Sequence, residues 1–202
     1  MKRLIFLLAL PLLLGGCSGM RLVESNVRST AAIPTGGSGI EAGARYRFER
    51  LPSQQDQAET DSVEAIAEAE LAEVGLVRDE AAAQYSVQLT TRMESYLVDD
   101  WGRPYNGRVG TSIFIGTGNI GFGTGSMVGM GTRFPPSTQF RHEATLLIRD
   151  LGRNQVVYET RATHEGPWND RYNILRAVLA AALKDFPTPP AGPRRVKVEI
   201  PR

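Results

Sequence analysis

A chain of 202 residues with 23 Lys and Arg against 22 Asp and Glu carries a formal net charge of +1. It has no basic excess to recruit nucleic acid and no acidic excess to serve as a cation sink. A single cysteine excludes an internal disulfide, so stability must come from an apolar core, which 42% hydrophobic residues over this length can supply.

Lys2 and Arg3 precede an apolar run from Leu4 to Leu14, which ends in Gly15, Gly16 and Cys17. These are the charged, apolar and small-residue parts of an export signal. The run is about half the roughly 20 residues that a spanning helix needs, and Pro11 lies within it, so it directs export without crossing the bilayer. Leu14-Gly15-Gly16-Cys17 resembles the lipobox of bacterial lipoproteins. That resemblance implies a signal peptide over 1–16, cleavage before Cys17, a covalent lipid on its thiol and acylation of the new N-terminus. An ordinary secretory signal with an incidental cysteine is the alternative. Several acyl chains hold a protein stably, at about 0.8 kcal/mol per buried methylene. Ser18 follows the cysteine where Asp would favour inner-membrane retention, so the resemblance implies an outer-membrane anchor facing the periplasm.

Residues 17–43 are rich in Ser, Gly and Thr around Pro34-Thr35-Gly36-Gly37-Ser38-Gly39 and read as a lipidated N-terminus and flexible tether. Val23, Ser25 and Val27 share one parity, which allows a short edge strand inside it. A firmer strand is predicted at about 44–51, where Tyr46 and Phe48 alternate with charged neighbours. From Thr60 to Gly75 the period turns helical, with Val63, Ile66, Ala67, Leu71 and Val74 inward. Asp61 is the expected cap, Gly75 the left-handed stop, and Glu64, Glu68, Glu70 and Glu73 a solvated face.

Alternation then marks three long strands, one carrying Tyr85, Val87 and Leu89, one His142, Ala144, Leu146 and Ile148, and one Tyr158, Thr160 and Ala162. The last two read as an antiparallel hairpin across Asp150-Leu151-Gly152-Arg153-Asn154. A second helix is predicted over about 169–185, with Ile174, Leu175, Val178, Leu179, Ala182 and Leu183 inward, and Val196, Val198 and Ile200 mark a last strand. The expected fold is α+β: one domain over 44–202 with a mainly antiparallel sheet, two helices packed on one face, and a long Gly-rich insertion at 105–134 between strands.

Within the insertion Ile113, Phe114, Ile115, Phe122, Met127 and Met130 are interleaved with glycine, as a mobile loop, a hairpin extension or an adhesive surface for a partner or lipid. Gly116-Thr117-Gly118-Asn119-Ile120-Gly121 matches the dinucleotide fingerprint in letters, but no helix pattern follows it and no phosphate-loop lysine is present, so no nucleotide is expected. Arg194, Arg195 and Lys197 form a basic cluster fit for an anionic contact or for protecting an edge strand. Trp101 and Trp168 suit a core lid or an interface anchor. His142 and His164 share one face if their strands pair diagonally, yet they form no metal pattern, and no metal or catalytic residue is assigned. A hydrolase with His142 as base and a serine of the Gly-rich region lacks a nucleophile elbow.

The order of parts resembles a family of uncharacterised Gram-negative lipoproteins with a small α+β domain, of the domain-of-unknown-function 4136 type. The resemblance rests on Tyr46-Arg47-Phe48-Glu49-Arg50-Leu51, Leu71-Ala72-Glu73-Val74-Gly75-Leu76, Ala83-Gln84-Tyr85-Ser86-Val87, the Gly-rich insertion, Phe186-Pro187 and Gly192-Pro193-Arg194-Arg195-Val196. It implies fold and location and carries over no catalytic residue. The expectation is therefore a membrane-anchored, non-catalytic module of the envelope that binds a protein, lipid or wall component, without nucleic acid or cofactor. A tethered hydrolase and a small-ligand or metal carrier are the alternatives.

Overall fold

A computed structural model describes residues 19–32, 39–54, 58–99, 101–104, 112–119, 124–131 and 136–201. The elements run β1 (Met20–Ala31), β2 (Arg45–Phe48), α1 (Ala58–Glu73), β3 (Val77–Arg78), β4 (Tyr85–Val98), β5 (Ser112–Asn119), β6 (Thr124–Gly131), β7 (Ser137–Asp150), β8 (Gln155–Gly166), α2 (Arg171–Ala182) and β9 (Pro193–Pro201). They divide into two compact units. The first takes Met1–Arg92, His142–His164 and Asp170–Arg202, and the second Met93–Arg141 and Glu165–Asn169.

A seven-stranded sheet has the order β3-β2-β4-β7-β8-β1-β9. The expectation of a mainly antiparallel sheet is corrected here, because β2 runs parallel to both β3 and β4 and the sheet is mixed. The cause lies in the connection. α1 carries the chain back along the sheet between β2 and β3, so β3 enters in the same direction, as a crossover allows and a tight turn forbids, and residues 79–84 return the chain to start β4 on the other side of β2. Antiparallel pairing holds around β1, where Ser25 faces His164 on β8 and Val196 on β9.

Residues 20–31, assigned from composition to the tether, are thus a twelve-residue strand with a neighbour on each side. Ser and Thr lowered its apolar signal, yet Val23, Ser25, Val27 and Ser29 are all buried on one parity. On that face Val23, Val27, Leu89, Ala144, Ala162 and Ile200 form one core with Val63 and Ala67 of α1 and Ile174, Leu175, Val178 and Leu179 of α2. A second cluster gathers Tyr46, Leu71, Val87, Leu146, Ile148 and Tyr158. At about 25 cal/mol per Å² of buried apolar surface, these side chains are the main term favouring the fold.

α1 departs from the solvated acidic face expected of it. Glu64 and Glu70 are buried. Arg50 grips Glu64 through two hydrogen bonds of 2.7 Å and Asp61 through one of 2.6 Å, and Arg176 of α2 meets Glu70 at 2.9 Å. Asp61 therefore serves an ion pair in the first turn of a helix that starts earlier, at Ala58, and is not its cap. Gly75 takes the left-handed conformation expected of it, at φ +87°.

In the second unit β5 and β6 form an antiparallel hairpin, with Ile113 opposite Met130, Ile115 opposite Val128 and Gly116 opposite Met127. Glu165 accepts from Arg141 Nε at 2.7 Å and from the Tyr96 hydroxyl at 3.1 Å. Asp99 closes a turn by accepting the backbone N–H groups of Trp101 and Arg103.

Candidate functional site

The feature of the first unit that packing leaves unexplained is a row of polar side chains under the helices. Ser25, His164 and His142 come from the consecutive strands β1, β8 and β7, and all three are buried, His142 to 3% and His164 to 6% exposure. Their positions follow from strand parity, which puts every second residue on the covered face. His164 Nδ1 lies 2.7 Å from the Glu24 carbonyl. A carbonyl only accepts, so Nδ1 donates this bond and Nε2 is the ring's other polar atom. That Nε2, the Nε2 of His142 and the Ser25 hydroxyl have no hydrogen-bond partner in the protein.

The next polar pair along the same strands is satisfied: the Ser29 and Thr160 hydroxyls meet at 2.8 Å, and Thr160 donates onward to the Ala182 carbonyl at 2.9 Å. Burying an unmatched polar group costs about 1–3 kcal/mol, so the contrast marks the row as the costly part of the core. Burial pushes the His142 imidazole below its ordinary value of 6.5, and the neighbouring His164 pushes it the same way. Two imidazole nitrogens and a hydroxyl suit a small hydrogen-bonding guest or a borderline-soft cation. Among the described residues, no three of His, Cys, Asp and Glu are grouped to hold a metal.

A second polar surface, an open groove, is lined by Glu41, Gln84, Tyr85, Asp150 and Arg153. Its main charges serve its own walls. Asp150 accepts the Arg153 backbone N–H at 2.9 Å and the guanidinium at 3.1 Å, and these bonds hold its carboxyl below the usual range.

The residues singled out in the sequence are scattered. Cys17 and the export signal expected over 1–16 lie outside the described residues, as does Phe122. Ile113, Phe114 and Ile115 are on β5, and Met127 and Met130 on β6. Gly116 to Asn119 are strand residues opposite Thr124 to Met127, where the dinucleotide fingerprint would need a helix to begin. The basic cluster splits by parity: Arg194 donates to the Lys184 carbonyl and lies 3.8 Å from Asp185, while Arg195 and Lys197 each lie 3.5 Å from Glu24. Trp101 is 78% exposed, with the Arg103 guanidinium 5.2 Å from its ring centroid. Ser25 was not legible as a polar-site residue, because only the pairing of β1 with β8 brings it to His164.

A mixed sheet with two helices on one face and a long strand hairpin inserted between β4 and β7 defines an α+β class. Within it, the chain belongs to the family described as Domain of unknown function (DUF4136), which matches residues 36–188. No curated protein matches the sequence. The fold is similar to that of a PDZ domain protein from Parabacteroides distasonis, with 14% identity and a TM-score of 0.52 over 90% of this chain and 39% of that one. This chain thus spans well under half the length of that protein. A PelC dodecamer structure from Paraburkholderia phytofirmans has 15% identity and a TM-score of 0.44, over 79% of this chain and 94% of that one.

Proposed function

We propose that the protein is a lipid-anchored module of the cell envelope, attached through Cys17 to the periplasmic face of the outer membrane, where it binds a protein, lipid or wall component without catalysing a reaction. The observation that carries this reading is Leu14-Gly15-Gly16-Cys17 at the end of an export signal, with the chain's only cysteine at the position that lipidation needs. Among the described residues no helix is long and apolar enough to cross a membrane, so the anchor in this reading is the lipid. The hydrolase alternative asks His142 to reach the proton of a bound substrate, and its 3% exposure sets it away from that role.

The test is the intact mass of protein purified from membranes, beside a Cys17→Ser variant, with inner and outer membranes separated on a density gradient. The expected result is a chain starting at Cys17 with an added lipid mass, in the outer-membrane fraction, and loss of both in the variant. An unlipidated soluble chain overturns the reading. The unpartnered imidazoles favour one second reading, a carrier of a small ligand or metal. Calorimetry with zinc and with copper on the wild type and a His142→Leu variant tests it, and heat common to both proteins counts against it.

A further inference from the structure

The composition of residues 17–43 implies a loose tether, whose random-coil reach over some 25 residues would be roughly 25–30 Å. The fold allows no such length. β1 starts at Met20, so only Ser18 and Gly19 separate it from Cys17. Three residue steps of fully extended chain reach about 10 Å. The start of the strand is held in place: Met20 to Glu24 pair with β9, Val23 is buried in the main core, and from Ser25 on the strand is paired with β8 as well.

From this we infer that the end of the first unit bearing Met20, Leu22 and Tyr172 is held against the phospholipid headgroups. The inference rests on the lipid-anchor reading of Cys17. The end in question is fixed by three observations. Met20 is opposite Pro201 of β9. Arg21 lies 3.6 Å from Asp170, the residue immediately before α2, so the first turn of α2 is at this end. The last turn of α2 is at the other, where the Ala182 carbonyl accepts from Thr160, the partner of Ser29.

The chemistry of this end suits a bilayer surface. Met20, Leu22 and Tyr172 are 52%, 49% and 51% exposed, large apolar or amphipathic side chains that gain by leaving water. A tyrosine ring settles at headgroup level, with its hydroxyl in the polar layer and its ring below. The twelve-residue α2 directs its positive end the same way, towards lipid phosphates. The phospholipid surface is the one occupant that a 10 Å link places at this end of every anchored copy.

The experiment uses the full chain purified from membranes, its lipid verified by intact mass. It is reconstituted into phosphatidylethanolamine and phosphatidylglycerol vesicles that carry a quencher on a fraction of the headgroups. Single cysteines replace Leu22, Tyr172 or Gln155 and carry a fluorophore; the acylated Cys17 is blocked to labelling. Gln155 begins β8 beyond the far end of β1, roughly 45 Å along the strand from Met20. The expected result is quenching several-fold stronger at positions 22 and 172 than at 155, and a fall towards the value at 155 when about twelve Gly and Ser residues are inserted after Ser18. Lipid mass with equal quenching at all three positions overturns the inference alone. So does quenching at 22 and 172 that the insertion leaves unchanged, or protection of both by a second copy or another protein. Absence of the lipid mass fails the anchor reading itself, and this inference with it.

Discussion

The two helices cover the same sheet by different means. α2 turns seven apolar residues inward, from Ile174 to Ala182, and buries no charge. α1 buries Val63, Ala67 and Leu71 but also Glu64 and Glu70, which depend on guanidinium groups from outside the helix. An apolar stripe needs only water to drive it inward. A buried carboxylate needs a cation brought to it by the rest of the fold, and without one it becomes the most costly group in the layer.

Four perturbations test what each part of the core contributes. The largest effect is expected from Leu179→Ala in α2, a fully buried side chain whose loss leaves a cavity and costs about 2–5 kcal/mol in urea unfolding. Next is Arg50→Met beside α1, which strands Glu64 in the core. We expect a fall of several degrees in Tm, most of it restored in the double variant Arg50→Met, Glu64→Leu, because an apolar pair replaces a buried ion pair with little loss. A double variant no better than the single one would make the contact a matter of packing and not of charge.

The third perturbation is pH. The native imidazole of His142 is held below its ordinary 6.5, so the unfolded chain takes up a proton that the native state refuses. Its contribution to stability is complete above about pH 6.5 and is lost as pH falls towards the depressed native value. The urea midpoint of the wild type therefore drops between pH 7.5 and 5.5 by more than that of His142→Leu; equal slopes would place the acid sensitivity elsewhere. The smallest effect is expected from Tyr46→Phe. This hydroxyl is buried without a partner, and burial raises its pKa well above the ordinary tyrosine value. Its removal leaves stability within about 0.5 kcal/mol or raises it, because an unmet polar group is lost and no bond with it.

Much of this fold is legible locally. Period-2 alternation located β4, β7, β8 and β9, and period-3.6 spacing located both helices, because each element buries one face and its sequence repeats with the backbone. β1 was visible only as a short edge strand through Val23, Ser25 and Val27; its full length and interior place were not, because Ser25 and Ser29 take core positions and their burial depends on strands more than a hundred residues away. The candidate site was half visible. Two histidines of one parity could be placed on one face, whereas the third member and the missing partners emerge only when β7, β8 and β1 lie side by side.

The balanced charge, the single cysteine after an apolar run, the α+β class and the family resemblance could all be read from the chain alone, because they are local or cumulative properties of it. The parallel placement of β2 emerges only in the folded chain, since strand direction is set by where the connections return the chain to the sheet. The tertiary structure alone decided that Glu64 and Glu70 are buried, since their cations lie 14 and 106 positions away in the chain. It alone decided that the segment after Cys17 is a sheet strand, because the backbone groups of a Ser- and Thr-rich stretch are satisfied there by two neighbouring strands.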